Sequence, residues 1–367
     1  MLPPFPELFE GSDHEQVQLI QEPSIGLYAV LAIHDTRGGP AFGGIRRLAY
    51  RSIGEAIRDA LRLSEAMTQK CLMARVPGGG GKGVVVDHPG LDLTAAYRLI
   101  GRYVENLGGR FYTGPDVGTG DAELLLLRDS TRFVTVPGSE GPGDLAAATA
   151  RGVLAGLHAV LSFLERSDSL SAEFAEHTFA VQGLGSVGYL VAQALAQAGA
   201  QVTAADPISE RAARARDELG IEVIHDGDLF DLPCDVFVPC ALGGILHDLT
   251  IERLRCRAVA GSANNLLASP EHAASLASRG ILVAPDYVIN SGALILGANF
   301  HLTGGREHGA AIDAIGDELF ELFGWANSEG IPPPVLADRI AADRLRKRRS
   351  VASFFPEPFA SDREDPK

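Results

Sequence analysis

One ten-residue stretch constrains the architecture more than any other part of the chain: Phe179-Ala180-Val181-Gln182-Gly183-Leu184-Gly185-Ser186-Val187-Gly188. An apolar strand runs into Gly-x-Gly-x-x-Gly, and Leu190, Val191, Ala194 and Leu195 continue at helical spacing. Each glycine has its own task in such a strand–turn–helix unit. Gly183 permits the tight turn, Gly185 lets backbone approach a pyrophosphate, and Gly188 lets helix and strand pack closely. Leu184, Ser186 and Val187 complete the turn, where unpaired N–H groups and the helix dipole favour a phosphate. Asp206 ends the next strand, where an acid would bind the adenosine ribose hydroxyls and repel a 2′-phosphate. NAD is the dinucleotide expected. Flavin is the minor alternative, since its motif usually lies nearer the start of a chain.

The surroundings fit a parallel, doubly wound α/β sheet. Strand candidates recur at 179–182, 201–205, 236–239, 258–261 and 281–284, with helical patterns between most of them and a short link around 226–232. Before this block, Leu27, Ala29, Leu31 and Ile33 alternate as in a half-buried strand. Ser52 and Glu55 form a capping box that opens a helix running to about Lys70, and a second helix is predicted from Thr94 to about Asn106, then a strand at 110–113. An Ala/Leu-rich helix starts near Leu145. After Asn290 the pattern is helical, broken once at 332–334, and the acidic tail from Ser361 reads as mobile.

Composition narrows the function. The chain of 367 residues is long enough for two cores, and its net charge of −15 argues against nucleic acid. The basic run from Arg344 to Arg349 ends a helix, where cations suit the dipole. No membrane-length apolar run or secretory leader is apparent, so a cytoplasmic protein is expected. Cys71, Cys234, Cys240 and Cys256 have neither CxxC spacing nor a histidine pattern, and no metal is expected. His34, His158 and His247 read as locally hydrogen-bonded.

Three further residues carry possible chemistry: Lys70, Lys82 and Asp116. Lys82 follows four glycines in PGGGGKG, but this is no phosphate loop, because Val76 stands at the first glycine position and Gly83 follows the lysine. Glycines that let backbone approach a small substrate, with Lys82 reaching into the cleft, suit the run better. The segments AIHDTRGGPAFGGIRR, DALRLSEAMTQK, PGGGGKG, TGPDVGT, VQGLGSVG, CDVFVPCALGGIL, AGSANN and APDYVINSGALI together resemble the glutamate/leucine/phenylalanine/valine dehydrogenase family. The resemblance spans about residues 9–353 and is nearest the leucine, phenylalanine and valine branch.

That resemblance implies an N-terminal α/β substrate-binding and oligomerisation domain (1–145 with 333–367) and a Rossmann NAD-binding domain (146–332). The C-terminal helices return to the first domain, and the two close on a cleft. It implies that Lys70 grips the substrate carboxylate, helped by Gly43, Gly44 and Asn265. Lys82 stabilises the developing oxygen charge, and Asp116 is the general base and acid. Cys240, Ala241 and Asn264 join the cofactor site, and Phe42, Leu294 and Gly297 line the side-chain pocket. The expected reaction is oxidative deamination of an apolar L-amino acid to its 2-oxo acid and ammonium, by a homo-oligomer. Leucine, valine or isoleucine lead as substrates and phenylalanine is the alternative, since Pro115 before Asp116 looks more like some phenylalanine enzymes. Asp144 and Ser291-Gly292-Ala293 depart from the family pattern, which leaves open a non-catalytic NAD-binding homologue. An alcohol or 2-hydroxy-acid dehydrogenase would need a catalytic histidine or metal cluster that is not evident.

Overall fold

The computed structural model describes residues 9–351. Its first sheet carries β1 (Gln16–Glu22), β2 (Leu27–Ile33), β3 (Ala41–Leu48), β4 (Gly79–Val86) and β5 (Phe111–Gly114) in the order β1-β2-β4-β3-β5. The β1–β2 and β2–β4 pairs are antiparallel, and β4–β3 and β3–β5 are parallel. Helix α1 (Ile53–Met73) starts at its Ser52 cap, whose hydroxyl accepts from Glu55 N at 3.2 Å. It covers one face of the sheet, and α2 (Leu93–Asn106) and α3 (Asp121–Arg128) cover the other.

Two sequence expectations change here for one reason: both sheet faces are covered. Strand β2 is not half-buried. Leu27, Ala29, Leu31 and Ile33 face the α2 side, while Val30 and Ala32 pack against Ala56, Ile57, Ala60 and Leu61 of α1. The glycine run, read only as room for backbone to approach a small substrate, forms the first half of β4, a central strand. A Cβ at Gly80 would be driven into the Ser64 carbonyl and Thr68 amide of α1, and one at Gly81 would lie 2.6 Å from the Phe111 ring. The glycines let α1 lie directly on the sheet.

The second sheet is wholly parallel, with β6 (Thr178–Gln182), β7 (Gln201–Ala205), β8 (Glu222–Val223), β9 (Cys234–Pro239), β10 (Cys256–Val259) and β11 (Leu282–Val283). Its order, β8-β7-β6-β9-β10-β11, reverses between β6 and β9, the crevice where doubly wound folds bind dinucleotides. Helices α5 (Ser186–Gln197), α6 (Ser209–Leu219), α7 (Asp248–Arg253) and α8 (His272–Ser278) connect these strands. The two-residue β8 is too short to show any alternation in sequence.

Helix α4 (Leu145–Leu164) links the two domains. Asp144 caps it by accepting from Ala147 N at 2.9 Å. Among the described residues it alone is long and apolar enough to cross a membrane, yet Val153, Leu157, Val160 and Leu161 are fully buried inside the fold. After the short α9 (Asp286–Ile289) come α10 (Gly292–Thr303), α11 (Gly309–Glu329) and α12 (Pro333–Val351). Helix α12 returns to the first domain, and its basic run does more than suit a dipole. Arg344 donates to Leu72 O at the end of α1 (2.9 Å) and pairs with Glu318 (2.9 Å), and Arg348 donates to Gly78 O at 2.6 Å. The acidic tail lies outside the described residues.

Candidate active site

Strand β4 delivers Lys82 to a buried position, where its ammonium pairs with Asp116 Oδ2. Asp116 stands on a turn closed by Thr119 N donating to its carbonyl at 2.9 Å, with Gly118 at φ 76°. Arg46 of β3 donates to the same carboxylate oxygen at 3.1 Å and to Asp59 Oδ2 at 3.2 Å, and Tyr50 donates to Asp59 at 2.7 Å. Burial pushes the Asp116 carboxyl up, but Lys82 and then Arg46 pull harder and hold it below the usual carboxylate range. Burial depresses Lys82 despite that partner. One acid and one lysine thus form a largely buried ion pair braced by Arg46.

Gly43 and Gly44 of β3 pair with Thr113 and Gly114, which leads the chain into Asp116. A Cβ on Gly43 would meet the Gly81 carbonyl, and one on Gly44 would lie 3.0 Å from Asp116 Cβ. The pair therefore sits between the two catalytic candidates. Lys70, near the end of α1, donates to Asn290 Oδ1 at 2.6 Å, and Asn290 donates to Asn264 Oδ1 at 2.7 Å and Ser262 O at 3.0 Å. Asn265 holds a left-handed backbone (φ 52°) and faces Arg62 at 3.4 Å. Burial brings the Lys70 ammonium down to about 8, against the raising pull of Asp286. Asp286 is itself pushed up by burial.

Three rings lie together where the sequence placed a side-chain pocket. Phe42 stacks on Tyr112 (centroids 5.6 Å apart), and Tyr112 lies 4.7 Å from His301. Leu294, Gly297 and His301 share one face of α10 by their spacing. A Cβ at Gly297 would meet nothing within 4 Å, so open space lies beside it. His301 accepts or donates at Thr135 Oγ1 (2.8 Å), and burial lowers its pKa to about 4, so the ring is neutral.

The dinucleotide crevice fits its cofactor. Gly183 has φ 87°, a Cβ there would lie 2.8 Å from Ala241 Cβ, and one on Gly188 would lie 2.9 Å from Cys240 Cβ. Gly185 caps α5 with no side-chain bond, so the first-turn amides, Ser186 and Val187 among them, are left for an anion. Asp206 accepts from Leu184 N at 2.7 Å and Ile208 N at 2.8 Å, with Arg211 3.9 Å away. Bound there, NAD would supply the hydride acceptor. The Asn264–Asn290–Lys70 chain of hydrogen bonds runs from the second domain to Lys70 on α1 of the first, and Lys70 lies near enough to feel the charges of Lys82 and Asp116, so the cleft lies between the domains.

The family model for the Glu/Leu/Phe/Val dehydrogenase dimerisation domain matches residues 15–133, and that for glutamate/leucine/phenylalanine/valine dehydrogenase matches residues 208–299. The chain belongs to this family. It is 41% identical to a phenylalanine dehydrogenase of Caldalkalibacillus thermarum, over 94% of each chain. It is 40% identical to a leucine dehydrogenase of Thermoactinomyces intermedius, over 95% of each. Among solved structures, L-tryptophan dehydrogenase from Nostoc punctiforme superposes with a TM-score of 0.79 at 35% identity, covering 94% of this chain and 99% of that one. As a member of the Glu/Leu/Phe/Val family, the chain is an amino-acid dehydrogenase acting on a CH–NH2 donor, within a group that uses NAD(P).

Arg46, Asp59, Asn290, Asp286, Tyr112 and His301 were not singled out from sequence. Arg46 and Asn290 lie inside two of the motif segments, in GGIRR and VINSG, but nothing local marks their partners. The depressed lysines have a kinetic consequence. Below pH about 8 Lys70 is charged and able to hold a carboxylate, and above it that grip is lost. The KM for amino acid is therefore expected to climb above pH about 8. Lys70→Arg should flatten the KM profile, because guanidinium stays charged. An unchanged upturn in that variant would remove Lys70 from carboxylate binding.

Proposed function

We propose that the protein catalyses NAD-dependent oxidative deamination of an apolar L-amino acid to the 2-oxo acid and ammonium, and the reverse reductive amination. The observation that carries this is the buried Lys82–Asp116 pair, with Lys70 in the same cleft. Lys70 holds the substrate carboxylate, with the Gly43–Gly44 backbone and Asn265 beside it. Bound in the crevice, NAD would supply the acceptor for the hydride leaving the substrate Cα, and the protein's own residues handle the imine that results. Asp116 takes a proton from the attacking water and returns one to the departing amine. Lys82 hydrogen-bonds the oxygen of the carbinolamine and stabilises its charge.

The Asp206 carboxylate supports NAD over NADP, because it would repel a 2′-phosphate. The sequence reading put leucine, valine or isoleucine first and phenylalanine second, while departures from the family pattern pull in both directions. The open space at Gly297 and the Phe42–Tyr112–His301 rings favour a large, flat side chain, so phenylalanine or tryptophan is the second reading. Four free thiols suit a reducing cytoplasm, and a homo-oligomer, which sedimentation would test, fits the proposed oligomerisation role of the first domain. The deciding experiment follows NADH absorbance with valine, leucine, isoleucine, phenylalanine, tryptophan and glutamate, each with NAD and NADP. Turnover of an apolar amino acid with NAD, and none of glutamate, is expected. Silence across the panel in protein that still binds NAD would favour a non-catalytic homologue.

A further inference from the structure

The antiparallel register that sets Gln16 opposite Ile33 brings the residues just before β1 beside the residue just after β2. Asp13 and His14 thereby meet His34. The two imidazole rings lie 4.7 Å apart, and one ligand atom from each of the three residues falls within 4.8 Å of the others. In each ring one nitrogen is turned to α1. His14 Nε2 lies 3.1 Å from the Leu61 carbonyl and 2.8 Å from Ser64 Oγ, and His34 Nδ1 lies 2.8 Å from Thr68 Oγ1. The other nitrogens face the turn that precedes β1: His14 Nδ1 is 2.7 Å from Ser12 Oγ, and His34 Nε2 is 2.9 Å from Asp13 Oδ1.

We propose that Asp13, His14 and His34 form a site for a borderline divalent cation, zinc foremost, which clasps the start of β1 to the end of β2. Metal-bound histidines characteristically give their second nitrogen to a carbonyl or hydroxyl, which orients the ring, and α1 supplies such partners here. Since the Leu61 carbonyl can only accept, His14 carries its proton on Nε2 and keeps a lone pair on Nδ1. His34 can present Nε2 to a metal once its proton moves to Nδ1, toward Thr68. Two imidazoles and one carboxylate suit zinc rather than magnesium or calcium. Glu65, Asp35 and Glu15 add negative charge around His34, opposed by Arg37. Asp13 is half exposed, which leaves a route in and room for water as a further ligand. Asp13 and His14 are adjacent while His34 is twenty positions on, so no cysteine or histidine spacing marks the group in sequence.

The test uses untagged, full-length protein stripped with a chelator, titrated calorimetrically with zinc and spectroscopically with cobalt(II). One equivalent per chain, a visible cobalt d–d band, and a zinc-dependent rise in Tm are expected. Asp13→Asn keeps an oxygen acceptor for His34 but is a poor ligand, and His14→Gln removes one imidazole. Each should weaken zinc by at least about tenfold. Amino-acid turnover should be retained in both, which confirms that they fold. No stoichiometric binding, or wild-type affinity in both variants, would reduce the trio to a hydrogen-bonded latch and overturn the site.

Discussion

Lys82→Met is expected to lower kcat for amino-acid oxidation by roughly 10³-fold while leaving NAD affinity unchanged. Methionine fills nearly the same space, so the loss isolates the ammonium group from packing. Lys82 is the strongest influence lowering the Asp116 pKa, and Arg46 is the next. Removing Lys82 therefore withdraws the donor for the substrate oxygen and raises the pKa of the base at once. Both effects fall on the chemical step, whereas the nucleotide crevice lies on the other sheet. Steady-state kinetics at saturating amino acid, with NAD binding followed separately, checks the split. Turnover within tenfold of wild type would remove Lys82 from the reaction.

Gly80→Ala should destabilise the fold by about 3 kcal/mol or more, despite adding one methyl group. The usual relief for overpacking is a side chain that turns aside. Here the obstructing atoms are the Ser64 carbonyl and the Thr68 amide, both in α1 backbone, so the whole helix must lift from β4. That helix carries Lys70, so residual activity should fall with stability. Gly108→Ala is the control: nothing lies within 4 Å of its Cβ, and only its positive φ (61°) is strained. Equal denaturant midpoints for the two variants would show that the close approach of α1 is unimportant.

The nucleotide half was legible because its signals are local. A strand, three glycines and an acid at the next strand end lie within thirty residues, and backbone geometry alone explains each of them. The first half hid more. Alternation in β2 suggested one buried face, because the other is covered by α1, which lies more than twenty residues further along. The glycines of β4 read as making room for a small substrate, since nothing local says that a helix will lie on them. Lys82 and Asp116 were found individually, but their pairing, and the roles of Arg46 and Asn290, depend on strands that meet only in the folded sheet. Asp206 was read at the end of a strand and directly follows β7 in the structure, while its bond to the Leu184 amide could not have been read from composition or spacing.

The return of α12 to the first domain also sets an order of events during synthesis. The end of α1 and the Gly78 carbonyl receive Arg344 and Arg348 from some 270 residues downstream. A ribosome thus releases every strand of the second, parallel sheet while the first domain still lacks its last tether. The helix that bears Lys70 waits in the growing chain for a partner made some 270 residues later.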